Sequence, residues 1–173
     1  VGAISNQVKK DLIRNAIKAL SYACIGMIIY ITFRFKFNYG VSAIIALVHD
    51  SLMVLIFFSL LRLEVNSMFI AAMLSIIGYS INNTIVIFDR IRENKTKLYK
   101  DKIKKEEELK EIVNISLRQT VMRCIITTIT TLLPVISLII LGSHEIINFN
   151  IALLIGLIAG SYSSIFIASQ IWI

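Results

Sequence analysis

Three groups of polar residues interrupt the long apolar stretches of this sequence, and they are its candidates for chemistry. Arg123 heads the first group because it lies about two turns inside a segment long enough to cross a membrane. A helix turns by about 100° per residue, so one polar stripe would contain Arg123 together with Ser116, Gln119, Thr120, Thr127, Thr130, Thr131 and Pro134. A guanidinium among lipid tails costs roughly 2.5–3.5 kcal/mol on insertion scales, which favours contact with protein or water. Alternatively, Arg123 reaches nearby headgroups and the hydroxyls only strengthen helix packing.

The second group contains Asn82 and Asn83, which on a helix would share an arc of about 140° with Ser75, Gly78 and Tyr79. This surface is a candidate for the polar stripe of Arg123 to face. Amides in lipid need hydrogen-bonding partners but cannot titrate, and simple adhesion between helices is an equally good interpretation. Asp89 and Arg90 follow at the end of the same segment, where we expect them to anchor it at the cytoplasmic boundary.

The third group is His49 and Asp50, in the middle of an apolar segment, where ionisable side chains are functional candidates by default. A structural histidine beside a neutral or paired carboxyl is an equally good interpretation. A Ser-His-Asp hydrolase is disfavoured because adjacent residues on a helix point about 100° apart, and we predict no enzymatic activity. Cys24 and Cys124 show no spacing typical of zinc ligands, so we predict no metal site, disulfide or cofactor.

The apolar background indicates a membrane protein. Hydrophobic residues make up 57% of the chain, against roughly 45–50% in soluble domains, and the mean hydropathy is +0.78. At about 20 residues per crossing, the sequence predicts an all-α, polytopic transmembrane bundle. Its five spans would cover residues 13–33, 39–61, 67–91, 116–141 and 146–173. The net charge of +7 falls between the spans, which argues against a nucleic-acid partner.

Positive charge gives the orientation, because Lys and Arg in short loops are retained in the cytoplasm. Residues 92–115 form a predicted basic loop with a surface helix, and Arg34 and Lys36 lie on the same face by parity. We therefore predict a cytoplasmic C-terminus, an exterior tail over residues 1–14 and a bundle over 15–173. Four basic residues run against the rule on the outer face: Lys9, Lys10, Arg14 and Lys18. In the last span, small residues at four-residue steps predict close helix packing, namely Ala152, Gly156, Gly160 and Ser164.

Three longer stretches carry a resemblance to a known family: GYSINNTIVIFDRIREN at 78–94, SLRQTVMRCIITTITT at 116–131, and IALLIGLIAGSYSSIFIAS at 151–169. Together with the His49-Asp50 pair they resemble the SecF family of bacterial protein-export subunits, which is related to the resistance-nodulation-division transporters. The resemblance implies five of the six helices of such a membrane domain, with the first helix and an exterior domain upstream.

The resemblance also implies a function and partners. A SecF-like subunit would lie in the bacterial cell membrane, act with SecD beside the SecY translocon, and use proton flow to assist exported preproteins, which the missing exterior domain would contact. Membrane lipids would surround it. The alternatives are a passive scaffold for the translocon, or a small-molecule or lipid exporter of the same superfamily.

By the same resemblance, the coupling arginine of the family corresponds to Arg123, and the carboxylate of its GYSxND pattern corresponds to Asn83. Asn83 departs from that pattern because an amide cannot release a proton. Proton binding would then rest on an aspartate of SecD near Arg123, with Asn82 beside the cluster. Gln119, Thr127, His49 and Asp50 are secondary polar candidates.

Overall fold

The computed structural model of the chain describes residues 6–34, 37–63, 65–99 and 106–173. These ranges contain five long helices: α1 (Asn6–Arg34), α2 (Phe37–Leu60), α3 (Ser67–Tyr99), α4 (Glu106–Leu141) and α5 (Ile147–Ser163). A 3₁₀ turn at His144–Ile146 precedes α5, which continues through a π-helical segment (Ser164–Ala168) into a last turn, Ser169–Ile171. Five helices, the fifth counted through this extension, are long and apolar enough to cross a membrane. The all-α, polytopic fold is confirmed.

Three of the helices, α1, α3 and α4, extend well beyond the predicted spans. α1 begins at Asn6, so residues 6–14 of the predicted exterior tail are helical. The polar stretch 92–115 is not one separate surface helix, because α3 runs to Tyr99 and α4 begins at Glu106. The remaining residues of that stretch, 100–105, lie outside the described part of the chain. A bilayer limits the apolar length of a helix and does not determine where the helix ends.

Local pairs support these polar extensions. The Lys97 ammonium lies 2.5 Å from a carboxylate oxygen of Glu93, four residues earlier, and Lys110 lies 2.7 Å from Glu106 at the same spacing. Such pairs stabilise a solvated helix by about 0.2–0.5 kcal/mol each. The first turn of α4 is also acidic, which suits the positive end of the helix dipole.

The turn between α2 and α3 contains a recognisable pair of caps. Arg62 adopts a left-handed conformation with φ 52°, and the next amide, Leu63 N–H, donates to the Phe58 carbonyl at 3.0 Å. This arrangement closes the C-terminus of α2. Asn66 then accepts the Phe69 N–H on its side-chain oxygen at 3.0 Å, which caps the N-terminus of α3.

Two clusters of buried apolar side chains form the core. One lies toward the end of the bundle where α3 finishes and includes Tyr39, Phe88, Ile112 and Cys124; the other, toward the opposite end, includes Phe58, Phe69, Met73 and Ala152. α3 and α5 run through the centre, whereas the outer faces of α1 and α4 are largely exposed.

The small residues of α5 allow its backbone to lie close to α3. A Cβ added at Gly156 would lie 2.4 Å from Ile76 Cδ1, and one at Gly160 would lie 3.1 Å from Ser80 Cβ. The predicted packing role of this series of small residues is confirmed.

Contacts at one end of the bundle confirm that the α1–α2 turn and the end of α3 share a face. Arg34 forms an ion pair with Asp89 at 3.4 Å, and Arg92 donates to the Arg34 carbonyl at 3.0 Å. The C-terminus reaches the same end, where Lys95 Nζ lies 5.9 Å from the ring centre of Trp172. Basic and aromatic side chains therefore collect at this end, a composition typical of a membrane interface.

Candidate functional site

Arg123 lies in an open groove between α3 and α4. The groove has a volume of about 530 Å³ and is lined by Val86, Asp89, Arg90, Arg92, Glu93, Thr96, Lys97, Thr120 and Arg123. Arg123 is exposed, and its guanidinium makes no hydrogen bond or ion pair with any residue in the ranges that the structure describes. We call this feature the Arg123 groove. A cation without an anionic partner thus faces outward from a helix that is long and apolar enough to cross a membrane.

Hydrogen bonds between α3 and α4 hold the wall of the groove. Gln119 Oε1 accepts from Arg90 Nε at 2.6 Å and from Asn94 Nδ2 at 2.9 Å, and Asn94 Nδ2 also donates to Ser116 Oγ at 2.9 Å. Arg90 forms a second bond, with Glu93 at 2.5 Å. Gln119, predicted as a secondary polar candidate, is therefore the shared acceptor that joins the two helices.

The predicted polar stripe of α4 divides into an inner and an outer part. Ser116 and Thr120 of the stripe are buried. Thr128, which the helical wheel did not place on the stripe, is buried as well, and its Oγ1 accepts from the Tyr79 hydroxyl at 3.0 Å and lies 2.7 Å from Ser161 Oγ. Thr127 is only partly exposed, and its hydroxyl donates to the Arg123 carbonyl at 2.9 Å. The buried hydroxyls therefore hold α4 against α3 and α5, whereas Arg123 lies on the exposed side of α4.

The adjacent asparagines point in different directions. Asn82 is exposed, whereas Asn83 is 2% exposed and its Nδ2 has no hydrogen-bond partner among the described residues. Neither amide bonds to Arg123 within the described ranges, and Asn83 is absent from the lining of the Arg123 groove. The predicted cluster of Arg123, Asn82 and Asn83 is thus not joined by contacts inside this chain.

The two residues predicted as boundary anchors both contact other helices or turns. Asp89 pairs with Arg34 of α1 and also lines the Arg123 groove. Arg90 bonds to Gln119 of α4. They therefore link α3 to its neighbours at the basic end of the bundle.

A second polar site lies deeper in the bundle around Asp50, which is 0% exposed. Its Oδ2 accepts from the Ser80 hydroxyl of α3 at 2.5 Å, and its Oδ1 lies 3.2 Å from His49 Nδ1. Our expectation that the adjacent side chains would point apart is wrong in this detail, because the imidazole is long enough to reach back to the carboxylate. Ser80 contacts the carboxylate directly, which differs from the Ser–His–Asp order of a hydrolase triad.

Two more hydroxyls continue the site toward α5. Thr84 Oγ1 lies 3.0 Å from Ser164 Oγ and donates to the Ser80 carbonyl at 3.2 Å, while Ser164 donates to the Gly160 carbonyl at 2.7 Å. Ser164 is also the first residue of the π-helical segment, a geometry often found at functional sites. The sequence did not single out Ser80 or Thr84, since hydroxyls scattered along a membrane helix usually strengthen packing.

The site offers little to a metal ion. Among the side chains that the structure describes, no three His, Cys, Asp or Glu residues lie close enough together to hold one. Cys124 is buried in the apolar core, and the side chain of Cys24 lies outside the described set.

Comparison with known proteins identifies the family. The family model described as "Protein export membrane protein SecD/SecF, C-terminal" matches residues 1–173. The chain belongs to the SecD/SecF family. It is 49% identical over 173 residues to the protein translocase subunit SecDF of Bacillus subtilis, covering 100% of this chain and 23% of that relative. It is 48% identical to the SecF subunit of Alicyclobacillus acidocaldarius, covering 100% of this chain and 55% of that one. The chain therefore spans about half of a SecF relative and about a quarter of a SecDF relative.

Solved structures of the family share the fold. A crystal structure of SecDF from Thermus thermophilus, described as a translocon-associated membrane protein, superposes with a TM-score of 0.87 at 39% identity, covering 97% of this chain and 22% of that one. A crystal structure of SecDF in a super-membrane-facing form matches with a TM-score of 0.82, covering 98% and 22%. This SecD/SecF-family chain thus has the helical architecture of part of the SecDF membrane region.

Proposed function

We propose that this chain is the membrane part of a SecF-like subunit that, with SecD, uses the proton gradient to assist translocation of secreted proteins through the Sec translocon. Family membership and relatives named as protein translocase subunits support the export role. The observation that carries the coupling role is the Arg123 groove, where a guanidinium faces outward from a membrane helix without an anionic partner.

An exposed polar face on a helix that is long and apolar enough to cross a membrane favours a protein neighbour over lipid. Insertion of an arginine costs roughly 2.5–3.5 kcal/mol, and such residues normally face a bundle interior or a water-filled cavity. Asn82 adds a second exposed polar side chain on α3. Relatives in which SecD and SecF are one SecDF protein support SecD as the neighbour that covers this face.

Coupling then follows from a carboxyl group of SecD opposite Arg123. The ionised carboxylate would form a charge-assisted pair with the guanidinium, and protonation would remove the charge that holds the two domains together. One elementary charge moved through 100 mV releases about 2.3 kcal/mol, which biases a two-state equilibrium by roughly fiftyfold. That energy is sufficient to drive a rigid-body movement between the two membrane domains. Only a proton is transferred, and no covalent change is made to the exported protein, so the proposal contains no enzymatic step.

The rest of the assembly follows from the same proposal. The basic end of the bundle faces the cytoplasm, which places the C-terminus there, because Lys and Arg are retained on that side. The protein crosses the bacterial cell membrane several times and is surrounded by lipid. The SecY translocon lies beside it, and preproteins contact an exterior domain upstream of these residues.

The test is export in membrane vesicles that contain the translocon, SecD and the full-length protein, with and without an ionophore that collapses the proton gradient. We expect the extra export that depends on the SecF-like protein to disappear when the gradient is collapsed. Vesicles lacking the protein give the background. Equal stimulation with and without the gradient would contradict the proposal and indicate a passive scaffold.

A further inference from the structure

Asp50 is a buried carboxyl group that does not line the Arg123 groove. It lies near the middle of α2, is 0% exposed, and pairs with no lysine or arginine in the part of the chain that the structure describes. An uncompensated carboxylate in an apolar interior is very costly, so its charge must be neutralised by a proton or by a cationic neighbour. The neighbour with that capacity is His49, whose side chain is 31% exposed.

The hydrogen bonds of Asp50 show how many protons the His49–Asp50 pair shares. Ser80 has one hydroxyl proton, and it donates that proton to Asp50 Oδ2 at 2.5 Å. The contact of 3.2 Å between Asp50 Oδ1 and His49 Nδ1 needs a proton on one of the two atoms, because two lone pairs would repel each other; the Nδ1–H of a neutral or charged imidazole, or the O–H of a carboxyl group, supplies it. That proton is bonded either to the imidazole or to the carboxyl group. The pair therefore has two bonding positions for a single proton.

We propose that His49 and Asp50 form a proton-binding site, in which a proton enters at the partly exposed imidazole and passes to the buried carboxylate. In this step the Nδ1–H bond of the imidazolium breaks and an O–H bond forms on Asp50 Oδ1, which leaves a neutral imidazole and a neutral carboxyl. The inference rests on the proposed function. It would give this chain a proton-binding site of its own, although Asn83 cannot release a proton.

The surroundings favour a proton over a metal cation. Asp50 is faced by His49 from its own helix, Ser80 from α3 and Gly160 from α5, and a Cβ added at Gly160 would lie 3.5 Å from Asp50 Oδ2. A hard metal ion needs several oxygens around it. Among the described residues, the side-chain contacts to the Asp50 carboxylate come from one hydroxyl, Ser80, and one imidazole nitrogen, and the centre of the Tyr162 ring lies 6.5 Å from that of His49.

The Asp50 site also contacts α5, so a change in the charge on Asp50 would alter the contacts between α3 and α5. Loss of the proton from Asp50 converts the Ser80 bond into a charge-assisted one, which is shorter and roughly twice as strong. Thr84 donates to the Ser80 carbonyl at 3.2 Å, and Ser164 Oγ, which donates to the Gly160 carbonyl, lies 3.3 Å from the same Ser80 oxygen. Ser164 begins the π-helical segment, so α5 can respond directly to the charge on Asp50.

The test uses the purified full-length protein with its SecD partner in lipid vesicles and pH-difference infrared spectroscopy. We expect a carboxyl C=O band from a buried protonated aspartate that Asp50→Asn removes. The exposed residue Asp11 supplies a matched control, Asp11→Asn, which should keep the band. Replacing His49 by Gln keeps the carboxyl but removes the entry group, and should slow the appearance of the band by at least roughly tenfold.

The outcomes separate this inference from the proposed function, because the spectrum does not depend on export. A band that persists unchanged in Asp50→Asn would overturn the inference, even if export depended on the gradient. So would a band in His49→Gln that appears as fast as in the unchanged protein. A response of the carboxyl band to Na⁺ at constant pH would show a metal-cation site in place of a proton site.

Discussion

Replacing Arg123 with Leu is expected to abolish the gradient-dependent part of export while leaving the bundle folded. The guanidinium is exposed and forms no hydrogen bond within the described residues, so its removal breaks no contact that holds α3 to α4. Loss of one member of a buried charge pair between proteins costs about 2–5 kcal/mol, which weakens the contact with SecD at least roughly thirtyfold. Export in cells that lack the native subunit, and copurification with SecD, are the measurements.

Two further variants control for charge and for position. Arg123→Lys keeps the charge but loses the planar fork of donors, so partial activity is expected. Met122 is 65% exposed and lies next to Arg123 on α4, so Met122→Leu should export like the unchanged protein. Full export by the Arg123→Leu protein would show that the Arg123 groove has no role in coupling.

Replacing Gly156 with Leu should have the largest effect on stability. A single Cβ at this position would lie 2.4 Å from both Cδ1 and Cγ1 of Ile76, and Leu adds three further carbons. Overpacking of this kind typically costs 1–3 kcal/mol and here should cost about 3 kcal/mol or more, because α3 and α5 are both central. Thermal unfolding in detergent and the amount of protein in the membrane would report the loss.

The matched control is Gly26→Leu, since nothing lies within 4 Å of a Cβ at Gly26. A double variant that combines Gly156→Leu with Ile76→Ala makes room for the new side chain and should recover part of the stability. Such recovery is the non-additivity expected for residues in contact. If Gly156→Leu were as stable as Gly26→Leu, the close approach of α5 to α3 would be wrong.

The fold class was predictable from the sequence because long apolar runs have few stable alternatives in a membrane. Backbone polar groups in lipid must be satisfied within each segment, so five such runs predict five helices. Helix ends were less predictable. α3 extends to Tyr99 because pairs such as Glu93 with Lys97 sustain a helix in water after the apolar pattern has ended.

The candidate site was predictable as a set of residues but not as an arrangement. A helical wheel gives directions to within tens of degrees, and it placed Arg123 and Ser116 on one stripe although the structure exposes the first and buries the second. It also grouped Asn82 with Asn83, of which the structure buries only the second. Which side of a helix meets a neighbour depends on how the helices pack, and one segment does not contain that information.

The bond between Ser80 and Asp50 illustrates the same limit. The two residues lie on different helices and are brought together because Gly160 has no side chain between them. His49 and Asp50 stood out in the sequence as ionisable residues in an apolar run. Ser80 became part of the site only through the packing of α2, α3 and α5.

The most direct test of the central claim, that the polar face bearing Arg123 meets SecD within the membrane, is site-specific photo-crosslinking. A photoreactive residue at Asn82, exposed on α3, should crosslink to a membrane helix of SecD in intact cells. The same residue at Leu52, 52% exposed on α2, serves as the comparison and should give a much lower yield. Crosslinks from position 82 to lipid alone, or equal yields to SecD from both positions, would contradict the account.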